Sequence, residues 1–209
     1  MQSELFGIDN RLDGLPDAEL RYVESFWPQP EQAYQALSKE IAWRQDTIQM
    51  YGKPVVIPRL NAWYGDPDAG YSYSGLELAP LPWTTTLQAI REAVEGYTGE
   101  RFNSVLANLY RDGNDSVAWH SDDEFELGEQ PLIASVSFGA TRRFSLRHRR
   151  RRELATLNLE LDSGSLLIMA GATQAHWYHC VPKQKGVTEG RINLTFRQIL
   201  RSRKGRRAL

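Results

Sequence analysis

In the second half of the chain, apolar residues recur in short runs that turn-forming residues interrupt. Residues 102–110, 131–138, 142–147, 154–161, 165–170, 175–181 and 191–199 are rich in Val, Leu, Ile, Phe and Tyr, and breaks such as Asp112-Gly113-Asn114 and Asp162-Ser163-Gly164 divide them. Short runs of these residue types between turn signals predict strands. Earlier the period lengthens: Ala33, Leu37 and Ile41 fall on one side of a predicted helix over 30–43, and Leu87, Ile90 and Val94 on one side of another over 85–96. Two helices ahead of many short strands predict a mainly β fold with flanking α-helices, either a sheet-on-sheet sandwich or a jelly roll. Residues 52–82 are crowded with Gly, Pro, Asn, Asp and Tyr and predict a long surface loop or loosely paired hairpins. Long loops in compact domains often carry function.

Composition narrows the picture. A chain of 209 residues fits one domain, 1–209, with 1–44 as an acidic N-terminal extension carrying the first helix. Cys180 is the single cysteine, so no internal disulfide forms. With no apolar N-terminal run and no stretch long enough to span a bilayer, the expectation is a cytoplasmic protein, nuclear in a eukaryote, with no membrane partner. A monomer is the expected state. The net charge of −1 conceals an asymmetry: residues 1–40 hold eight acids, 142–152 hold seven arginines and no acid, and 191–209 hold seven basic residues and no acid. Two basic runs predict a face for a polyanion.

Chemistry enters with His120-Ser121-Asp122, read as an extended segment whose alternate side chains converge on one ion. His179, in Trp177-Tyr178-His179-Cys180-Val181-Pro182, would complete a two-histidine, one-carboxylate facial triad, which leaves positions open for a chelating co-substrate and oxygen. The chain has four histidines. His148 lies in the arginine run, where a dication is disfavoured, and His176 lies three residues before His179, on the other face of an extended strand. His179 is therefore preferred, with His176 as the fallback. Downstream, Arg191-Ile192-Asn193-Leu194-Thr195-Phe196-Arg197 alternates strictly. Its polar side offers two arginines, an amide and a hydroxyl to a dicarboxylate, to which Asn108 and Tyr110 add an amide and a phenol. No Gly-x-Ser-x-Gly elbow and no cysteine cluster is present, and Cys180 reads as a small packed residue.

Together Asn108-Leu109-Tyr110, His120-Ser121-Asp122-Asp123-Glu124, Ser137-Phe138-Gly139, His179-Cys180-Val181-Pro182 and the strand 191–197 resemble the AlkB nucleic-acid dealkylases over roughly residues 45–200. Pro58-Arg59, Trp63-Tyr64-Gly65-Asp66 and Tyr71-Ser72-Tyr73-Ser74-Gly75 are similar to the substrate lid of that family's eukaryotic-type DNA-repair branch, which makes 45–82 a nucleotide-recognition lid. The resemblance implies a double-stranded β-helix, with iron(II) on His120, Asp122 and His179 and 2-oxoglutarate on Asn108, Tyr110, Arg191, Asn193 and Arg197. It further implies that O2 oxidises an N-methyl group, and that the product sheds formaldehyde to restore the base. The partner would be alkylated DNA, single- or double-stranded, or RNA. A buried metal cannot reach a stacked base, so the base must be unpaired or flipped out. Tyr73 and His120 would sandwich it, Tyr71 and Arg59 would assist, and Asp123 or Glu124 would read its exocyclic amino group. Met50-Tyr51-Gly52-Lys53 resembles the branch's duplex-inserting finger, with Tyr51 as the wedge. Two other readings compete: a non-catalytic jelly-roll nucleic-acid-binding protein, and an oxygenase acting on proteins or small molecules.

Overall fold

The computed structural model describes residues 9–12, 14–50, 53–69, 71–73 and 76–200. In chain order the elements are β1 (Asp9–Arg11), β2 (Glu19–Val23), α1 (Pro30–Glu40), β3 (Thr47–Met50), β4 (Lys53–Val56), β5 (Leu60–Gly65), β6 (Tyr71–Tyr73) and β7 (Leu76–Leu78). They continue as α2 (Thr85–Thr98), β8 (Ser104–Tyr110), β9 (Val117–His120), β10 (Ile133–Gly139), β11 (Arg142–His148), β12 (Leu157–Leu161), β13 (Leu166–Ala170), α3 (Thr173–His176), β14 (Trp177–Val181) and β15 (Arg191–Arg197). A seven-stranded sheet, ordered β1-β2-β13-β10-β15-β8-β5, faces a four-stranded sheet, β12-β11-β14-β9. The result is the expected jelly roll.

Alternation on β15 explains the layering. Ile192, Leu194 and Phe196 are fully buried in a cluster with Ala33, Leu37 and Ile41 from α1 and its C-terminal edge and Leu87, Ile90 and Val94 from α2. Burying each large side chain contributes on the order of 1.5–3 kcal/mol, so the helices are held on the outer face of the large sheet. A second cluster, including Leu106, Ile133, Phe144, Leu146, Met169 and Val181, fills the space between the sheets. Helix α2 has clear ends: Thr84 Oγ1 accepts from the Leu87 N–H, and Gly99 stops the helix at φ 75°. A left-handed residue there is cheapest as glycine.

Three sequence expectations change. The segment 52–82 is not a loop throughout, because β5 pairs with β8 from Leu60↔Leu109 to Gly65↔Ser104, and Asn61, Ala62, Trp63 and Tyr64 are buried. Its dense turn residues masked a short apolar run. The remainder does contain hairpins, β3–β4 and β6–β7. In the acidic N-terminal region, β2 pairs with β13, and Val23 and Phe26 enter the core. Finally, residues 175–181 are not one strand, since α3 ends at His176 and β14 begins at Trp177.

Candidate active site

Between the sheets, β8, β10 and β15 lay their inward side chains over one cavity. Adjacent-strand pairing sets Arg191 opposite Tyr110 and Asn193 opposite Asn108. The cavity is lined by Arg59, Asn108, Tyr110, His120, Asp122, Ser135, Phe144, His179, Arg191, Asn193, Thr195 and Arg197, among others. The pairing of β14 with β9 puts His179 against His120. Ligating atoms of His120, Asp122 and His179 all lie within 4.8 Å of one another.

Asp122 does not lie on an extended strand with His120, as the sequence suggested. His120 is the last residue of β9, and the chain continues as a loop. Two contacts hold the carboxylate in place of a strand: the Asp122 N–H donates to Gln174 Oε1 at 2.9 Å, and Arg197 Nη2 donates to Asp122 Oδ1 at 2.7 Å. A carboxylate has a second oxygen, so this geometry is compatible with metal ligation. Burial opposes the charge on Asp122, but the Arg197 guanidinium beside it holds its carboxyl below the ordinary value. Burial, reinforced by His120, pushes His179 down to about 3, and burial also lowers His120. Both imidazoles are therefore neutral near pH 7, the form that ligates a metal. His120 Nδ1 lies 2.8 Å from the Ala118 carbonyl, so it carries the proton and leaves Nε2 as the ligand. Phe144 stacks on His179 at 5.2 Å.

His148 and His176 meet elsewhere, with Asp17, and their ligand atoms also fall within 4.8 Å. Hydrogen bonds decide against a metal there. His148 Nδ1 accepts from the backbone N–H groups of Arg150 and Arg151, at 3.2 and 2.9 Å. Its proton therefore sits on Nε2, which donates to Asp17 Oδ2 at 3.3 Å and has no lone pair for an ion.

The deepest charge in the cavity is Arg191, which is 1% exposed. Burial lowers its pKa to about 10. Nη2 donates to Ser137 Oγ at 2.9 Å, whereas Nε and Nη1 are buried without a hydrogen-bond partner. A buried cation with idle donors calls for an anion. Asn193 Nδ2 donates to Ser135 Oγ at 2.7 Å, and Asn193 Oδ1 accepts from Thr195 Oγ1 at 3.1 Å, which fixes the neighbouring polar groups. A dicarboxylate fits this donor set. Arg59, read from the sequence as a substrate contact, is 4% exposed and donates from Nε to Asn108 Oδ1 at 2.7 Å, on the cavity wall.

Asp123 and Glu124 follow the triad loop, Asp123 exposed and Glu124 half-buried. Tyr51 lies outside the described residues; Tyr71 and Tyr73 belong to β6 by backbone, and their side chains lie outside the description too. Sequence reasoning missed Gln174, Ser135 and Phe144. Alternation in Ala134-Ser135-Val136-Ser137 could have exposed the serines, whereas Gln174 gave no local signal.

Among the described residues the arginines of the two basic runs do not form one continuous face; Arg201, Arg203, Lys204, Arg206 and Arg207 lie outside the described residues. Arg142 is buried and donates to the carbonyls of Asp112, Asp115 and Pro182 at 2.8–2.9 Å. Arg143 pairs with Glu160 at 3.1 Å and Arg151 with Glu153 at 3.0 Å, while Arg191 and Arg197 line the cavity. Arg147, Arg150 and Arg152 remain exposed, Arg147 lying 4.3 Å over the Trp119 ring. A count of charges along a sequence cannot separate these fates.

Comparison with known proteins agrees with the geometry. A profile of the 2OG-Fe(II) oxygenase superfamily matches residues 19–197. The human protein named DNA oxidative demethylase ALKBH2 is 44% identical over 83% of this chain and 70% of its own length. The human alpha-ketoglutarate-dependent dioxygenase alkB homolog 3 is 45% identical over 78% of this chain and 59% of its own length. The Arabidopsis thaliana DNA oxidative demethylase ALKBH2 is 35% identical over 88% of this chain and 67% of its own length. A solved structure of OsALKBH1 matches with a TM-score of 0.63 at 18% identity, covering 86% of this chain and 97% of that one, which speaks to the fold alone. Profile, relatives and fold agree: the chain belongs to the 2OG-Fe(II) oxygenase superfamily and, within it, to the AlkB family.

Proposed function

We propose that this protein repairs N-alkylated bases in DNA by oxidative demethylation, with 1-methyladenine and 3-methylcytosine as substrates and RNA as a further polymer to test. The observation that carries the reading is that the His120, Asp122 and His179 triad and the under-satisfied Arg191 open onto the same cavity. The names of the relatives, DNA oxidative demethylase among them, support it.

In this reading His120, Asp122 and His179 hold iron(II), and Asn108, Tyr110, Arg191, Asn193 and Arg197 hold 2-oxoglutarate. Bound together, the metal and co-substrate supply the oxidant: one O2 is consumed, 2-oxoglutarate leaves as succinate and CO2, and the N-methyl carbon gains a hydroxyl. The N-hydroxymethyl group then breaks its C–N bond to give formaldehyde and the free base, so the chain needs no nucleophile. Its own residues orient and exclude. Arg191 meets an anion at the cavity floor, Arg197 fixes Asp122, and Phe144 covers His179. Asp123 or Glu124 accepts from the exocyclic amino group of a cationic alkylated base, where a carboxylate is favoured by charge as well as by hydrogen bonding. Tyr71, Tyr73 and Arg59 bound the base, within a lid over 45–82. The protein acts as a monomer in the cytoplasm, or in the nucleus of a eukaryote. Among the described residues no helix is long and apolar enough to cross a membrane.

The test is anaerobic loading with iron(II) and 2-oxoglutarate, then exposure to air with oligonucleotides carrying either lesion and mass analysis of the products. Loss of one methylene mass per lesion, dependent on both additions, is expected. Succinate release without demethylation would keep the oxygenase and discard these substrates, and no succinate would favour a binding protein. In the same assay Tyr51→Ala is expected to lower repair of a duplex at least tenfold while changing single-strand repair less than twofold. Equal losses would remove the wedge role.

A further inference from the structure

Arg149 has no part in the site described so far, yet its contacts converge on the loop that carries the triad carboxylate. Its position follows from the end of β11. The two N–H donations to His148 Nδ1 fold residues 149–151 back on the strand, and the Arg149 N–H donates to the His176 carbonyl at 2.7 Å. From there the guanidinium reaches four groups. Nη2 donates to Asp123 Oδ2 at 2.8 Å and to Ser121 Oγ at 3.0 Å, Nη1 donates to the Ala175 carbonyl at 3.1 Å, and the plane lies 4.4 Å over the Tyr178 ring. The Arg149 side chain is 26% exposed and that of Asp123 is 48% exposed. An ordinary solvated arginine holds one partner loosely; this one is clamped by the loop between two triad residues, by α3 and by β14.

We infer that Arg149 is a positioning residue for base discrimination: by holding Asp123 Oδ2 it presents the other carboxylate oxygen to the exocyclic amino group of the alkylated base. The inference rests on the functional reading above, in which Asp123 contacts the base. A carboxylate accepts hydrogen bonds and does not donate them. An amino group at the ring position beside the lesion, as in 1-methyladenine and 3-methylcytosine, satisfies a fixed carboxylate oxygen. A carbonyl there, as in 3-methylthymine, meets it acceptor to acceptor. Discrimination of that kind needs a carboxylate that cannot swing away, because a mobile one would turn to solvent and tolerate either base. The fork of Arg149 supplies the restraint, and its contacts to Ser121 and Ala175 keep the fork from following the carboxylate. Arg149 does not touch the reacting atoms.

The test compares single-stranded oligonucleotides carrying 3-methylcytosine or 3-methylthymine in one sequence context, for the intact chain and for Arg149→Met, Arg149→Lys and Asp123→Ala. Readouts are kcat and KM by mass analysis, and binding of the same oligonucleotides without oxygen. For Arg149→Met the expected result is a tenfold or greater fall in kcat/KM on 3-methylcytosine, carried mainly by KM, with 3-methylthymine changed less than twofold. The binding preference should shrink in parallel. Arg149→Lys should recover part of the ratio, since a point charge holds the carboxylate without the fork. Asp123→Ala should collapse the ratio by a similar factor, with the double substitution adding nothing further, as expected of residues acting as one unit. Equal losses on both bases, or additive effects, would reduce Arg149 to a structural tie and overturn the inference. If the intact chain demethylates neither base, the functional reading itself fails, and the inference fails with it.

Discussion

Asp122→Ala is expected to lower demethylation by about three orders of magnitude or more, equivalent to at least about 4 kcal/mol of transition-state stabilisation. Two losses combine. Asp122 is the anionic member of the triad, and without it two neutral imidazoles remain beside a cation. Arg197, 4% exposed, also loses the carboxylate it meets at 2.7 Å. Breaking a buried pair from one side costs about 3–5 kcal/mol, because the surviving charge stays desolvated. Asp122→Ala is therefore expected to melt at a lower temperature as well as to lose turnover. Asp122→Asn separates the two effects: its amide oxygen still accepts from Arg197, so the fold should largely persist while the anionic ligand is gone. Formaldehyde release, a thermal melt and titration with iron(II) or manganese(II) under nitrogen read the three quantities. Full turnover in Asp122→Ala would remove the metal assignment.

Arg191→Met should raise the dissociation constant of 2-oxoglutarate by about 100-fold or more, within the range for truncating one partner of a buried hydrogen-bonded charge pair. Stability makes this prediction distinctive. In the ligand-free protein Arg191 is a buried cation with Nε and Nη1 unpartnered. Replacing it by an apolar chain of similar length removes a desolvated charge, so the ligand-free variant should melt at or above the temperature of the intact chain. The intact chain should gain stability on adding 2-oxoglutarate, as any protein does with a ligand that binds only its folded form, and the variant should not. Metal binding should be nearly unchanged, because the Arg191 guanidinium bonds to Ser137 Oγ and lies over the Tyr110 ring rather than against the triad. A variant that binds 2-oxoglutarate normally would move the anion site elsewhere in the cavity.

Sequence alone determined what depends on local periodicity and residue chemistry. The period of β15 separates Ile192, Leu194 and Phe196 from Arg191, Asn193, Thr195 and Arg197, and the structure buries the first set under the helices and turns the second into the cavity. Both long helices were legible because their apolar residues repeat at helical spacing, and the run of short strands gave a sandwich or a jelly roll, which the resemblance to the AlkB dealkylases narrowed to the second. The residue types of a facial triad were likewise legible, since so few histidines compete.

Tertiary structure decided what depends on contacts distant in sequence. β5 was hidden because its neighbours are turn formers, and its pairing partner β8 lies some 40 residues on. The group of Asp17, His148 and His176 was set apart from the metal candidates by the tautomer that the Arg150 and Arg151 amides impose on His148. Asp122 is aimed by Gln174 and Arg197, 52 and 75 residues away, rather than by the strand geometry that its spacing from His120 suggested. The arginine run was the least legible feature. Arg142 is buried, Arg147 is exposed and Arg149 is clamped to Asp123, because a side chain's electrostatic role is set by the groups the fold brings within a few ångströms, and neighbours in sequence do not specify those groups.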